Sequence, residues 1–126
     1  AALAAVPTTD SAQRLRNGVL PGIAGRIEAA AVRVPVASVS AADLSVTRNT
    51  DVSLQDVHAV LRAQLDIIGW TDKPLVSTDL RARPESLIIS LPETRVTEGG
   101  LVRIFGWYDN EWGFSCRMLD VAQMMG

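Results

Sequence analysis

Cysteine, histidine and lysine each occur only once in the 126 residues. The single cysteine, Cys116, excludes an intrachain disulfide and fits a reducing compartment, so we expect a cytoplasmic protein. The net charge is −2 and no basic run is present, which argues against nucleic acid as a main partner. No apolar run has the length of a membrane span, and no Gly-rich phosphate loop occurs.

The composition is that of a packed domain, with 48% hydrophobic and 21% charged residues. Its length predicts one domain, residues 1–126. The apolar opening AALAAVP has no positively charged leader and no initiator methionine before it. It is a poor signal peptide, and we expect that the chain was cut from something longer.

The predicted elements alternate irregularly between helix and strand. Pro7 and the polar residues after it predict a turn into a short helix that ends near residue 18. Strands are predicted over residues 26–34 and 40–47, and the two could pair as an antiparallel hairpin. Further extended segments are predicted over residues 75–80, 86–91, 93–97 and 101–108, and a last helix from Asp109 or Asn110 to Met125. This order predicts an α+β fold, with a mainly antiparallel or mixed sheet and helices packed on one face.

The middle helix carries the clearest local signal. Ser53 followed by Asp56 has the spacing of a capping box. Leu54, Val57 and Leu61 recur at helical spacing, with Leu65 one turn further on. We expect a helix over residues 53–65 with one apolar face.

Two stretches resemble one enzyme family. RVPVASVSAADLSV (residues 33–46) and WYDNEWGFSCRM (residues 107–118) are similar to signatures of the phosphorylating glyceraldehyde-3-phosphate dehydrogenase family. PTT at residues 7–9 and PLVSTD at residues 74–79 fit the same order. The resemblance implies the C-terminal part of the catalytic domain, in an enzyme that uses NAD or NADP to oxidise an aldehyde phosphate to an acyl phosphate.

The resemblance also implies what these residues do not contain. The family's N-terminal NAD-binding domain, its catalytic cysteine in an SCTTN-like motif and its histidine base have no counterpart in the sequence. Cys116 and His58 match neither catalytic motif, so we interpret both as packing or surface residues. We therefore expect no catalytic residue, no metal site, no tight cofactor binding and no activity in the isolated chain.

Three residues are expected to contact ligands if the resemblance holds. Arg33, in the RVP motif, is implied as a contact to the substrate's phosphate, which a guanidinium fork suits. A structural ion pair with Asp43 or Asp79 is the alternative. Asn110 is implied as a contact to the nicotinamide carboxamide, although an N-cap role for Asp109 or Asn110 is also open.

Three positions depart from the family pattern, and one of them, Phe114, is the third expected contact, at the cofactor. Phe114 stands where a tyrosine near the nicotinamide is common, so a ring remains but the hydroxyl is lost. Asp10 and Ser11 fall where a threonine and a glycine serve a phosphate site, and a carboxylate there repels phosphate. Their effect on phosphate binding stays open.

The leading hypothesis is a fragment of a glycolytic glyceraldehyde-3-phosphate dehydrogenase. Its expected partners are the aldehyde phosphate, the missing N-terminal domain and the copies of a homotetramer. One alternative is a fragment of erythrose-4-phosphate dehydrogenase, which has similar sequences. The other is a stand-alone, non-catalytic interaction domain.

Overall fold

The computed structural model describes residues 34–63 and 67–126. The chain divides into two compact units, Ala1–Ala37 and Ser38–Gly126. Of the first unit only residues 34–37 are described, where the Val36 amide donates to the Val34 carbonyl at 2.9 Å. The architecture below is that of the second unit.

The described part of this unit holds five strands, two α-helices and two short 3₁₀ helices. In chain order they are β1 (Ser40–Thr47), α1 (Leu54–Arg62), β2 (Ile68–Thr71), a 3₁₀ helix (Ser77–Leu80), β3 (Leu87–Ser90), a second 3₁₀ helix (Leu91–Glu93), β4 (Arg95–Val96), β5 (Leu101–Tyr108) and α2 (Trp112–Met125). None of these helices is long and apolar enough to cross a membrane.

The strands form one sheet in the order β1-β5-β3-β2, and β4 also pairs with β5. β1, β3 and β4 run antiparallel to β5, whereas β2 runs parallel to β3. The predicted α+β class and mixed sheet are therefore confirmed. β1 and β5 have the predicted boundaries, and their register pairs Ser40 with Tyr108 at one end.

α1 covers the apolar core on one face of the sheet. Leu61 packs with Ile89 and Leu91, and Val57 lies against the same cluster. The predicted capping box is confirmed, because the Ser53 hydroxyl accepts from the Asp56 amide while the Asp56 carboxylate accepts from the Ser53 amide. Its bond with the Ser53 hydroxyl lowers the pKa of Asp56.

The opposite face of β5 is polar and aromatic. The Arg103 guanidinium donates to both carboxylate oxygens of Asp43, at 2.9 and 2.8 Å, and lies 5.5 Å from the centroid of the Phe105 ring. Phe105 and Trp107 meet edge to face with centroids 5.0 Å apart. The arginine bond lowers the pKa of Asp43. Asp43, one suggested ion-pair partner of Arg33, is thus paired with Arg103.

The strand prediction for residues 75–80 is wrong, because Ser77–Leu80 form a 3₁₀ helix. The Asp79 carboxylate accepts from the Val76 amide at 2.9 Å, and the Asp79 amide donates to the Val76 carbonyl at 3.0 Å. Such local bonds from short polar side chains compete with extended structure. They also engage Asp79, the other suggested partner of Arg33.

Two further differences concern short strands. β2 was not predicted. The strand predicted over residues 93–97 is limited to the two residues of β4, because Leu91–Glu93 form a 3₁₀ helix with Pro92 in its first turn. Several predictions fall on residues outside the described ranges. They are the helix after Pro7, the strand that runs from residue 26 towards residue 34 with its pairing to β1, and Leu65.

Candidate functional site

A cleft of about 320 Å³ lies where β5 ends and α2 begins. The short segment between them, residues 109–111, forms one wall, and the first two turns of α2 form another. Its lining residues come from β5, this segment, α2 and the loop before β3: Ser86, Tyr108, Asp109, Asn110, Gly113, Phe114 and Arg117.

Asp109 fixes the entry to α2. One carboxylate oxygen accepts from the amides of Glu111 and Trp112, at 3.1 and 2.9 Å. The other accepts from the Ala82 amide at 3.0 Å. Because the amides of Trp112 and Ala82 favour the charged form, the pKa of Asp109 lies below its ordinary value. The N-cap position of α2 is Glu111, whose side chain makes no capping bond; the side-chain bonds to the first amides come from Asp109, two residues earlier.

Gly113 lets α2 approach the loop before β3. A Cβ at this position would lie 2.9 Å from the Glu85 carbonyl oxygen, closer than a methyl group tolerates. Gly113 is buried, although most of α2 is exposed. The glycine therefore sets how closely the helix start sits against this loop.

Arg117 forms a second connection to the same loop. Its guanidinium donates to the Ser86 hydroxyl at 3.2 Å and to the Pro84 carbonyl at 3.3 Å. On its other side it pairs with Asp120 at 2.7 Å. Arg117 thus ties the first turns of α2 to the loop before β3 and holds this wall of the cleft in place.

Asn110 presents its amide beside the start of β1. The Ser40 hydroxyl donates to Asn110 Oδ1 at 2.8 Å. The residue before Ser40 is Val39, which is buried and has a φ of +68°. This conformation is unfavourable for a β-branched residue and costs on the order of 1–3 kcal/mol.

Phe114 lies one turn further along α2 and exposes 65% of its surface. It lines the same cleft as Asn110. The structure therefore brings together the two residues expected at a nicotinamide. Arg33, Asp10 and Ser11 lie outside the described residues.

The lone cysteine and histidine do not line this cleft. Cys116 is a free, half-buried thiol on α2, and His58 lies half-buried on α1. Within residues 34–63 and 67–126, no cluster of three or more His, Cys, Asp or Glu side chains could hold a metal ion.

Sequence analysis missed Ser40, Ser86, Gly113 and Arg117. A signal existed for two of them, because Gly113 and Arg117 are four residues apart and lie on one face of a helix. No local signal pointed to Ser40, which bonds the Asn110 side chain, or to Ser86, which lines the cleft, because both come from distant parts of the chain.

Comparison with known families decides the relationship. Residues 1–110 match the family model described as glyceraldehyde 3-phosphate dehydrogenase, C-terminal domain. The chain belongs to this family. The matched range contains both Arg33 and Asn110.

Individual relatives agree with this glyceraldehyde-3-phosphate dehydrogenase family assignment. The chain is 40% identical to the glyceraldehyde-3-phosphate dehydrogenase of Cereibacter sphaeroides and to that of Xanthobacter flavus, in alignments that cover 100% of the chain and 39% of each relative. It is 39% identical to glyceraldehyde-3-phosphate dehydrogenase 2 of Bacillus subtilis, over 94% of the chain and 36% of the relative. The chain thus spans less than half the length of these relatives.

Proposed function

We propose that this chain forms the C-terminal part of the catalytic domain of an NAD(P)-dependent, phosphorylating glyceraldehyde-3-phosphate dehydrogenase. The family match and the relatives' names support the activity. The observation that carries the proposal is the cleft, because Asn110 and Phe114 line it together.

The cleft suits the nicotinamide end of the coenzyme. A volume of about 320 Å³ is at the small end of ligand sites, so it fits a single ring better than a whole dinucleotide. Asn110 supplies an amide that can pair with a carboxamide, and Phe114 supplies an exposed apolar ring. When bound, the oxidised nicotinamide accepts a hydride from the substrate carbon.

The chain's own residues contribute binding and orientation. Asn110 holds the carboxamide and so limits rotation of the ring, while Phe114 shields one side of it from water. Asp109, Gly113 and Arg117 keep both groups in place by fixing α2 to its neighbours. Correct positioning of reacting groups lowers the barrier because orientation entropy is lost before the reaction.

Arg33 is proposed to bind the phosphate of the substrate. A guanidinium offers paired donors that match phosphate oxygens. The family match spans this position, and the RVP motif carries the arginine. Loss of Arg33 should therefore weaken binding of the phosphorylated aldehyde selectively.

The nucleophile and the base are proposed to come from other parts of the enzyme. The family's cysteine and histidine motifs do not occur within these 126 residues, so we propose that residues 1–126 act as one partial catalytic domain beside an NAD-binding domain. Alone, they should neither turn over substrate nor bind coenzyme tightly. The enzyme is proposed to be a cytoplasmic homotetramer.

The apolar surface of α2 supports a larger assembly. Met118, Leu119, Val121, Met124 and Met125 are all more than half exposed. Groups of exposed apolar side chains are typical of surfaces that other protein covers. We propose that it packs on the rest of the enzyme, so residues 1–126 alone should associate in light scattering.

The activity is tested by NADH formation in the full-length enzyme. We expect turnover with glyceraldehyde 3-phosphate, coenzyme and inorganic phosphate, and none from residues 1–126 alone. NADP is run in parallel, since the choice between coenzymes is open. A marked preference for erythrose 4-phosphate would contradict the proposed substrate, and turnover by residues 1–126 would contradict the division of labour.

The role of Arg33 is tested with two substrates that differ only in the phosphate. Arg33→Ala should raise KM for glyceraldehyde 3-phosphate by about tenfold or more and leave unphosphorylated glyceraldehyde nearly unchanged. Arg62→Ala is the matched control, because this exposed arginine at the end of α1 lies over the Trp70 ring and does not line the cleft. Equal losses with both aldehydes would show that Arg33 serves the fold.

A further inference from the structure

We draw no further inference here: the strongest candidate, the partly exposed sheet face on which Arg103 pairs with Asp43 and Phe105 meets Trp107, carries nothing because nothing in the described part of the structure shows what covers it.

Discussion

Replacing Asp109 with alanine removes the acceptor of three backbone amides, two of them at the start of α2. Those amides belong to Glu111 and Trp112 on one oxygen and Ala82 on the other. A lost helix-capping side chain costs about 0.5–2 kcal/mol, and a hydrogen bond to a charged acceptor is worth about 1.5–3 kcal/mol. Since the three bonds share one carboxylate and are not additive, we expect Asp109→Ala to cost about 2–4 kcal/mol.

Asp109→Asn separates the charge from the shape. The amide oxygen can still accept from Glu111 and Trp112, but the NH₂ group then faces the Ala82 amide. Two donors cannot bond with each other, so this variant should lose about 1–2 kcal/mol. Asp72→Ala, in the exposed loop after β2, is the control and should stay within about 0.5 kcal/mol of the original.

The deficit of Asp109→Ala should depend on pH. The pKa of Asp109 is lowered in the folded protein, so its contribution is complete above the unfolded value of about 3.9 and is lost as pH falls through the folded pKa. Urea unfolding of the full-length enzyme, monitored by tryptophan fluorescence, gives the loss of unfolding free energy at pH 7 and near pH 3. A deficit that is equal at both pH values, or below about 0.5 kcal/mol at pH 7, would refute the reasoning.

The same urea assay tests three further substitutions. Gly113→Ala should destabilise by about 1–2 kcal/mol, because the new methyl meets the Glu85 carbonyl; a gain of about 1 kcal/mol, as helix propensity alone predicts, would contradict this. The Ala82→Gly variant should be more stable than the Ala59→Gly variant by about 1 kcal/mol or more. Ala82 has a φ of +60°, which glycine adopts without strain, whereas Ala59 lies within α1, where glycine is unfavourable. Equal losses in the two variants would contradict the strain at Ala82. Ser53→Ala should cost about 1 kcal/mol through the lost cap, and a neutral result would show that the cap is redundant.

Sequence patterns predicted the elements whose signals are local. β5 has eight residues, most of them β-branched, aromatic or otherwise apolar, which outweigh Gly106, and the capping box marks the start of α1. β2 escaped prediction because it has only four residues and contains Gly69, which weakens a strand signal. It forms because β3, nearly twenty residues away, pairs with it in parallel.

The candidate site divides in the same way. Asn110 and Phe114 are four residues apart, so one short motif could predict that they share a surface. Ser40 is 70 residues from Asn110 and meets it only through the register of β1 on β5. Ser86 likewise reaches Arg117 across the loop before β3. Such contacts follow from strand pairing and cannot be read from local spacing.

The most direct test of the proposed site is a crystal structure of the full-length enzyme with NAD bound. We predict that the Asn110 side-chain amide lies about 2.7–3.2 Å from the carboxamide, with the Phe114 ring beside the nicotinamide. A nicotinamide bound more than about 4 Å from the Asn110 amide would contradict the account.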